Sequence, residues 1–211
     1  MDYVLIPGAG GRAWYWHLVA ARLAERGHRA IAVELPADDD TKGLSEYAQA
    51  VLDTVGGAGE VVIVAASLGA FTAPLVAGPL QAGAVVLVNP MTPIPGETPG
   101  AWWGDTGAVE ARGARASRLG YPVEFDPAIH MFHDVPPEVL ASATPKGDQS
   151  QRPFRDPCVF TSWPSAMTVI SGADDRFFRW SSSRRWLASD SVSNQSWFPA
   201  VTSSLWVTPM H

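Results

Sequence analysis

The sequence predicts an α/β fold built on a parallel sheet, and three observations carry that prediction. Short apolar runs rich in β-branched residues alternate with segments of helical period along the first ninety residues. One run, Glu60 to Ala66 (EVVIVAA), is almost wholly apolar, as a central parallel strand covered on both faces requires. The chain of 211 residues is 46% hydrophobic and 17% charged, which is apolar enough to fill a core and excludes a disordered chain.

The elements follow in order. Tyr3 to Ile6 is an apolar strand that ends at Pro7-Gly8. Trp14 to Arg26 has helical period, with Trp14, Leu18, Ala21 and Leu23 near one face. Arg29 to Leu35 (RAIAVEL) is the next strand, and Leu44 to Val55 a helix with Leu44, Tyr47, Val51 and Leu52 near one face. Glu60–Ala66 leads into a helix over Leu68 to Val76, and Ala84 to Asn89 (AVVLVN) is another buried strand. From Pro90 to about Pro164 the alternation stops. That stretch is rich in Pro, Gly, Trp and charge, shows no clear strand, and is too long for an ordinary loop. Trp102, Trp103, Phe125, Met131 and Phe132 argue for an inserted lid rather than a linker. Met167 to Ile170 (MTVI) resumes the strand pattern and runs into Ser171-Gly172-Ala173-Asp174-Asp175.

Composition removes several function classes. Net charge is −6, and the arginines and lysines are scattered, so no basic patch for nucleic acid is present. The acidic run Asp38-Asp39-Asp40 reads as a solvated loop. The single cysteine, Cys158, excludes an internal disulfide framework and, following Asp156-Pro157 with no neighbouring histidine, reads as a passive thiol. No stretch approaches 18 uncharged apolar residues, and no signal-peptide pattern opens the chain, so a cytoplasmic protein without a membrane span is expected. No histidine pair stands with a third ligand at metal spacing, so no metal or other cofactor is expected.

Ala65-Ala66-Ser67-Leu68-Gly69 follows a buried strand and opens a helix. Small-x-Ser-x-Gly at that junction is the pattern of a nucleophile elbow. A tight strand-to-helix turn lifts the serine hydroxyl clear of the sheet, small neighbours avoid clashes, and the next amide, on Leu68, points toward a developing oxyanion. The bland alternative is a serine N-cap. A second oxyanion donor has to come from a glycine-rich loop after an earlier strand, and Ile6-Pro7-Gly8-Ala9-Gly10-Gly11 is such a loop. An acid beyond a late strand is supplied by Gly172-Ala173-Asp174-Asp175-Arg176-Phe177-Phe178.

On these residues the sequence resembles the α/β-hydrolase family. PGAGGRAWYWHLVAARLAERGHRAIAVELP is similar to the HGACHGAWCW segment, and the strand after it, of the methylesterase and hydroxynitrile-lyase branch. AASLGA resembles that branch's elbow, and GADDRFF its acid loop. The resemblance runs from about Val4 to Phe178 and is loose in the lid. It implies an α/β-hydrolase fold, a mostly parallel sheet flanked by helices with an inserted lid. The chain is then a single domain over 1–211, with its core in 1–91 and 165–178, its lid over about 92–164 and an atypical tail over 179–211. The resemblance also implies Ser67 as nucleophile, Ala9 and Leu68 as oxyanion donors and Asp175 as acid, with Asp174 the close competitor. Pro7 stands where the family has histidine, in a loop that contributes mainly backbone.

The family's proton shuttle is a histidine on a Gly-His loop well after the acid. Here the histidines are His17, His28, His130, His133 and His211. His17 and His28 belong to the first helix and its end and read as surface residues, and His130 and His133 fall in the lid. His211 lies beyond the acid but has no glycine before it, and it is the remaining candidate base. Residues 179–211 hold 9 of the 17 serines and 4 of the 9 tryptophans but no glycine. With so many arginines over lysines, and 19 Gly and 18 Pro, the coding sequence reads as GC-rich. Choosing GC-leaning codons and restoring one C after the Phe178 codon turns the tail into a helix, a strand and a Gly-Gly-His loop. The expectation is therefore that the tail is translated out of frame and that the chain as written is close to inactive.

Two further readings stand beside this one. Gly8-x-Gly10-x-x-Ala13 after a strand, with Glu34 ending the next, matches a dinucleotide-binding loop, although Trp14, Tyr15 and Trp16 crowd the position of a pyrophosphate. The other is a hydrolase-fold module that binds a small apolar ligand without turnover. The leading expectation is hydrolysis of a small apolar carboxylic ester through an acyl-serine intermediate, without nucleic acid, membrane or cofactor as partner.

Overall fold

The computed structural model describes residues 1–178 apart from 58, 144–146 and 165. The tail 179–211, with His211 and the frameshift expectation, lies outside the described residues. Among the described residues five strands form one sheet: β1 (Asp2–Ile6), β2 (Arg29–Ala32), β3 (Val61–Ala66), β4 (Ala84–Val88) and β5 (Met167–Ile170). Every neighbouring pair is parallel, in the order β2-β1-β3-β4-β5. The register lines Ile31, Val4, Ile63, Val85 and Met167 across the sheet as one apolar row. All five are buried. That row joins Tyr47, Val51 and Val55 of α2 (Leu44–Val55) and Ala73 and Val76 of α3 (Ala73–Ala77) in the largest core cluster. The opposite face, through Leu5 and Val88, packs on Trp16 and on α1 (His17–Glu25).

From β1 the sheet grows one way to β2 and the other way to β3. The connections leaving β1 and β3 therefore diverge, which opens a crevice at the carboxyl ends of these strands, where ligands bind in open α/β sheets.

Two expectations are corrected in detail. The first helical segment starts as a tight three-residue-per-turn helix over Ala13–Trp16 before α1 begins. The tighter turn rotates the phase, so Trp16, Val19, Ala20 and Leu23 pack on the sheet, while Ala21 is exposed. The second strand stops pairing at Ala32 rather than Leu35. Val33 and Leu35 stay buried, but the Leu35 amide turns to the Gly11 carbonyl at 2.7 Å and covers the first loop.

The long insertion between β4 and β5 is helical, which its Pro and Gly content concealed. It holds α4 (Pro99–Thr106), α5 (Ala108–Leu119), α6 (Pro127–His130) and α7 (Pro137–Ala141). Thr98 caps α4 by accepting from the Ala101 amide, and Asp126 caps α6 by accepting from the Ala128 amide. Trp102 is fully buried against Phe71, Met91 and Phe178, which seats α4 on the sheet's carboxyl end. The returning leg is stitched to the core by the Ser150 amide on the Ala37 carbonyl (2.7 Å) and by Asp156, which accepts from the Leu44 amide (2.9 Å) at the start of α2. No helix among the described residues is long and apolar enough to cross a membrane.

Candidate active site

Ser67 sits directly after β3 with φ +50°, in the left-handed region that a side chain occupies only under constraint. Its neighbours explain how the bend is tolerated. A Cβ on Gly69 would lie 2.5 Å from the Pro7 carbonyl oxygen and 3.0 Å from that of Ile6, so the elbow packs directly on the backbone leaving β1. A Cβ on Gly8 would lie 2.9 Å from the Ser67 Cβ and 3.5 Å from its Oγ. The first loop and the elbow thus face one another, as the sequence reading expects, and only glycine fits at both contacts. The Ser67 carbonyl accepts from the Met91 amide at 3.1 Å, which ties the elbow to the chain after β4.

Leu68 lies in the first turn of the short helix Ser67–Phe71, where an amide has no acceptor within its own helix. Ala9 lies in a four-residue turn closed by the Gly11 amide on the Gly8 carbonyl (3.1 Å), with Gly10 at φ +83°. Ser67, Leu68, Gly8 and Ala9 all line one cavity of about 360 Å³. A simple N-cap role for Ser67 does not describe this site, because Ala66 holds the cap position and the serine is the first residue of the helix, inside the bend.

Asp175 lines the same cavity and is 2% exposed, whereas Asp174 is exposed. One oxygen of the Asp175 carboxylate, Oδ1, accepts from the Phe177 amide (2.7 Å) and the Phe178 amide (2.9 Å), and the Asp175 amide donates to the Gly172 carbonyl. Asn89, at φ +41° after β4, accepts from the Gly172 amide at 2.9 Å and so ties the acid loop to the neighbouring strand. The rest of the wall is mainly apolar, including Trp103, Phe125, Met131, Phe132 and Leu140 from the insertion. Four of the five residues that suggested a lid in the sequence (Trp103, Phe125, Met131, Phe132) are therefore wall residues, whereas Trp102 is core.

The histidines separate clearly. His130 is fully buried and its Nδ1 is bonded to the Asp126 backbone. His133 lies beside Asp134, and burial holds its pKa below the ordinary imidazole value, with Arg176 and Arg115 pushing the same way and Asp134 and Asp174 opposing. Neither lines the cavity. His28 packs its ring against Tyr3 at 5.3 Å. His17, read as a surface residue, is exposed but reaches the cavity, stacked on Trp14 with Nδ1 2.7 Å from the Trp14 carbonyl oxygen. Cys158 is fully buried and its thiol, which donates to the Phe71 carbonyl (3.1 Å), is pushed up to about 12, first by burial and then by Glu97. It is a packing residue, as expected.

The dinucleotide alternative fares differently. The Glu34 carboxylate accepts from the Ala13 amide at 2.7 Å. An acid thus sits where the phosphate of a dinucleotide would need a free helix start, and Gly8 is small because Ser67 lies against it. Sequence reasoning passed over Asn89, Gln149 and His17. Asn89 carried a faint signal, an asparagine between a strand and a proline. Gln149 carried none, since its partner Gly10 is 139 residues away.

A strained serine closing the central parallel strand, a glycine loop packed against it and a buried aspartate in the same cavity define a hydrolase-type α/β architecture. The chain belongs to the alpha/beta hydrolase family, whose sequence profile matches residues 3–206. It is 37% identical over 83 residues to a probable esterase, PIR7A, of Oryza sativa subsp. indica, covering 35% of this chain and 32% of that protein. It is 32% identical over 104 residues to Methylesterase 7 of Arabidopsis thaliana, covering 43% and 40%. The matched stretches thus span about a third to two fifths of these relatives' own lengths. Among solved structures, a pyrethroid hydrolase from Sphingobium faniae JZ-2 superposes with TM-score 0.72 at 19% identity, over 97% of this chain and 90% of that one, a likeness of fold.

Proposed function

We propose that this site hydrolyses a small apolar carboxylic ester through an acyl-serine intermediate. The observation that carries the reading is the cavity itself: one apolar space holds the strained Ser67, the Leu68 and Ala9 backbone and the buried Asp175. Its volume of about 360 Å³ suits a small ligand, and its largely hydrophobic wall favours an uncharged one. The names of the relatives, an esterase and a methylesterase, favour an ester over other acyl substrates.

In this reading the Ser67 Oγ attacks the ester carbonyl carbon. The carbonyl π electrons pass to oxygen, which the amides of Leu68 and Ala9 stabilise. Collapse of the tetrahedral intermediate expels the alcohol, and water then releases the acid and restores the serine. Asp175 orients the base and stabilises its cationic form. The base takes the serine proton and returns it to the leaving alkoxide. Its assignment rests on the sequence beyond Phe178, either His211 or the Gly-Gly-His that a restored frame supplies. Loss of the base typically removes several orders of magnitude of rate. The chain as it stands is therefore expected to turn over slowly, and the frame-restored chain rapidly.

Labelling with a fluorophosphonate tests the reading, because it needs an activated serine. We expect labelling and turnover of an activated ester by the frame-restored chain, both abolished in Ser67→Ala. Labelling that persists in Ser67→Ala, or is absent from both chains, defeats the proposal. The latter result leaves a non-catalytic pocket for an apolar ligand, the reading that the mainly apolar wall also accommodates.

A further inference from the structure

The side chain of Gln149, on the returning leg of the insertion, makes three hydrogen bonds, to three parts of the fold. Its Oε1 accepts from the Gly10 amide at 2.7 Å. Its Nε2 donates to the Tyr47 hydroxyl at 3.1 Å and to the Ser150 carbonyl at 2.8 Å. The orientation of the side-chain amide is settled by chemistry, since the Gly10 N–H can only donate and the Ser150 carbonyl can only accept. Tyr47 is buried in α2, its hydroxyl pKa raised chiefly by desolvation, so the anchor stays neutral and fixed.

What Gln149 grips is the turn that carries Ala9. Gly8 to Gly11 is a turn with Ala9 and Gly10 as its central residues, closed by the Gly11 amide on the Gly8 carbonyl. With φ +83° at Gly10 it has the form of a type II turn. Such a turn competes with the type I form, which differs by a flip of the central peptide, and the N–H of that peptide is the one Gln149 holds. The residue sits at no corner of the cavity and does not line it.

We propose that Gln149 is a positioning residue for the oxyanion loop. By holding the Gly10 N–H it keeps the turn in one form and pins the loop to α2 and the insertion, so that the preceding Gly8–Ala9 peptide, which carries the Ala9 amide, stands on a fixed loop when charge develops on the substrate oxygen. This rests on the hydrolase reading above. The lock belongs to the returning leg of the insertion, which is itself seated on Ala37 and on the start of α2. Preorganised donors gain their advantage because they need no reorientation during reaction.

The test uses Gln149→Leu, which keeps the bulk and loses the acceptor, and Gln149→Glu, which keeps an acceptor for Gly10. Amide hydrogen exchange at Gly10, read by NMR, is expected to accelerate at least tenfold in Gln149→Leu and to recover in Gln149→Glu, with both variants melting within a few degrees of the parent. The rate of fluorophosphonate labelling at Ser67 in the frame-restored chain is expected to fall ten- to a hundredfold in Gln149→Leu. Affinity for an apolar alcohol such as 2-phenylethanol is expected to stay within threefold. Unchanged exchange at Gly10 overturns the proposal. So does full labelling with protection lost, or a parallel fall in alcohol affinity, which is what a merely structural staple produces. If Ser67 resists the probe in the frame-restored chain as well as in the chain as it stands, the hydrolase reading fails separately, and exchange at Gly10 alone decides whether Gln149 locks the turn.

Discussion

Replacing Gly69 with alanine inserts one methyl group into the tightest backbone crossing of the site. The new Cβ would stand 2.5 Å from the Pro7 carbonyl oxygen, 3.0 Å from the Ile6 carbonyl oxygen and 3.2 Å from the Ile6 Cγ2. Two of these neighbours are backbone, and β1 is held on both sides by β2 and β3, so no flexible side chain can yield. Overpacking of this kind costs about 1–3 kcal/mol. For a chain of this size, with about 2–4 °C lost per kcal/mol, the melting midpoint should fall by about 2–12 °C. Gly104→Ala is the matched control. Gly104 lies exposed within α4, and a Cβ there meets nothing within 4 Å. The added methyl should stabilise by about 0.5–1 kcal/mol through helix propensity. Thermal melts followed by circular dichroism compare the two variants. A Gly69→Ala midpoint equal to or above the parent would refute the close elbow-to-strand packing on which the site geometry depends.

Further outcomes follow from other parts of the molecule. Because Ser67 holds φ +50°, Ser67→Gly should be more stable than Ser67→Ala by about 1 kcal/mol in chemical denaturation, and equal stabilities would remove the strain argument. Cys158 should resist Ellman's reagent at pH 8 in the native protein and react on unfolding. Its folded pKa of about 12 exceeds the unfolded value of about 8.5, so its contribution to stability is intact below about 8.5 and is lost as pH rises toward 12, a slope of up to about 1.4 kcal/mol per unit that Cys158→Ala should abolish. His133 is the reverse case. Its folded pKa lies below the unfolded imidazole value, so stability is full above about pH 6.5 and declines as pH falls below it. His133→Asn should make the melting midpoint less sensitive to pH between 7 and 5, and an unchanged dependence would contradict the desolvation argument.

The sheet was legible because its strands are short, apolar and β-branched, and Val61–Ala66 could be nothing but a covered strand. The elbow and the glycine loop were legible because such a junction needs small residues at fixed places, and Gly8 and Gly69 prove to be points where the first loop and the elbow crowd against each other. Burial distinguishes Asp175 from the exposed Asp174 and supports the proposal of Asp175 as the acid, where spacing alone left the two close. The phase of the first helix was misread because nothing in AWYW announces a tighter turn. The insertion's helices were missed because α4, α6 and α7 each open on proline and are set by caps and tertiary packing rather than by a long hydrophobic period. Gln149 was invisible, and Asn89 nearly so, for a different reason: each acts through polar contacts with residues remote in sequence, Gln149 on Gly10 and Tyr47 and Asn89 on Gly172.

The loop bearing Asp175 is fastened from behind. Asn89 grips its first turn at Gly172, that turn's carbonyl holds the Asp175 amide, and the amides of Phe177 and Phe178 hold the carboxylate. Each of these fasteners belongs to chain that precedes residue 179, and the one at Gly172 ties the loop to the β4 edge. On the proposed reading these contacts are modular: they hold the acid loop in place while a proton-carrying third partner is supplied, displaced or exchanged over evolutionary time.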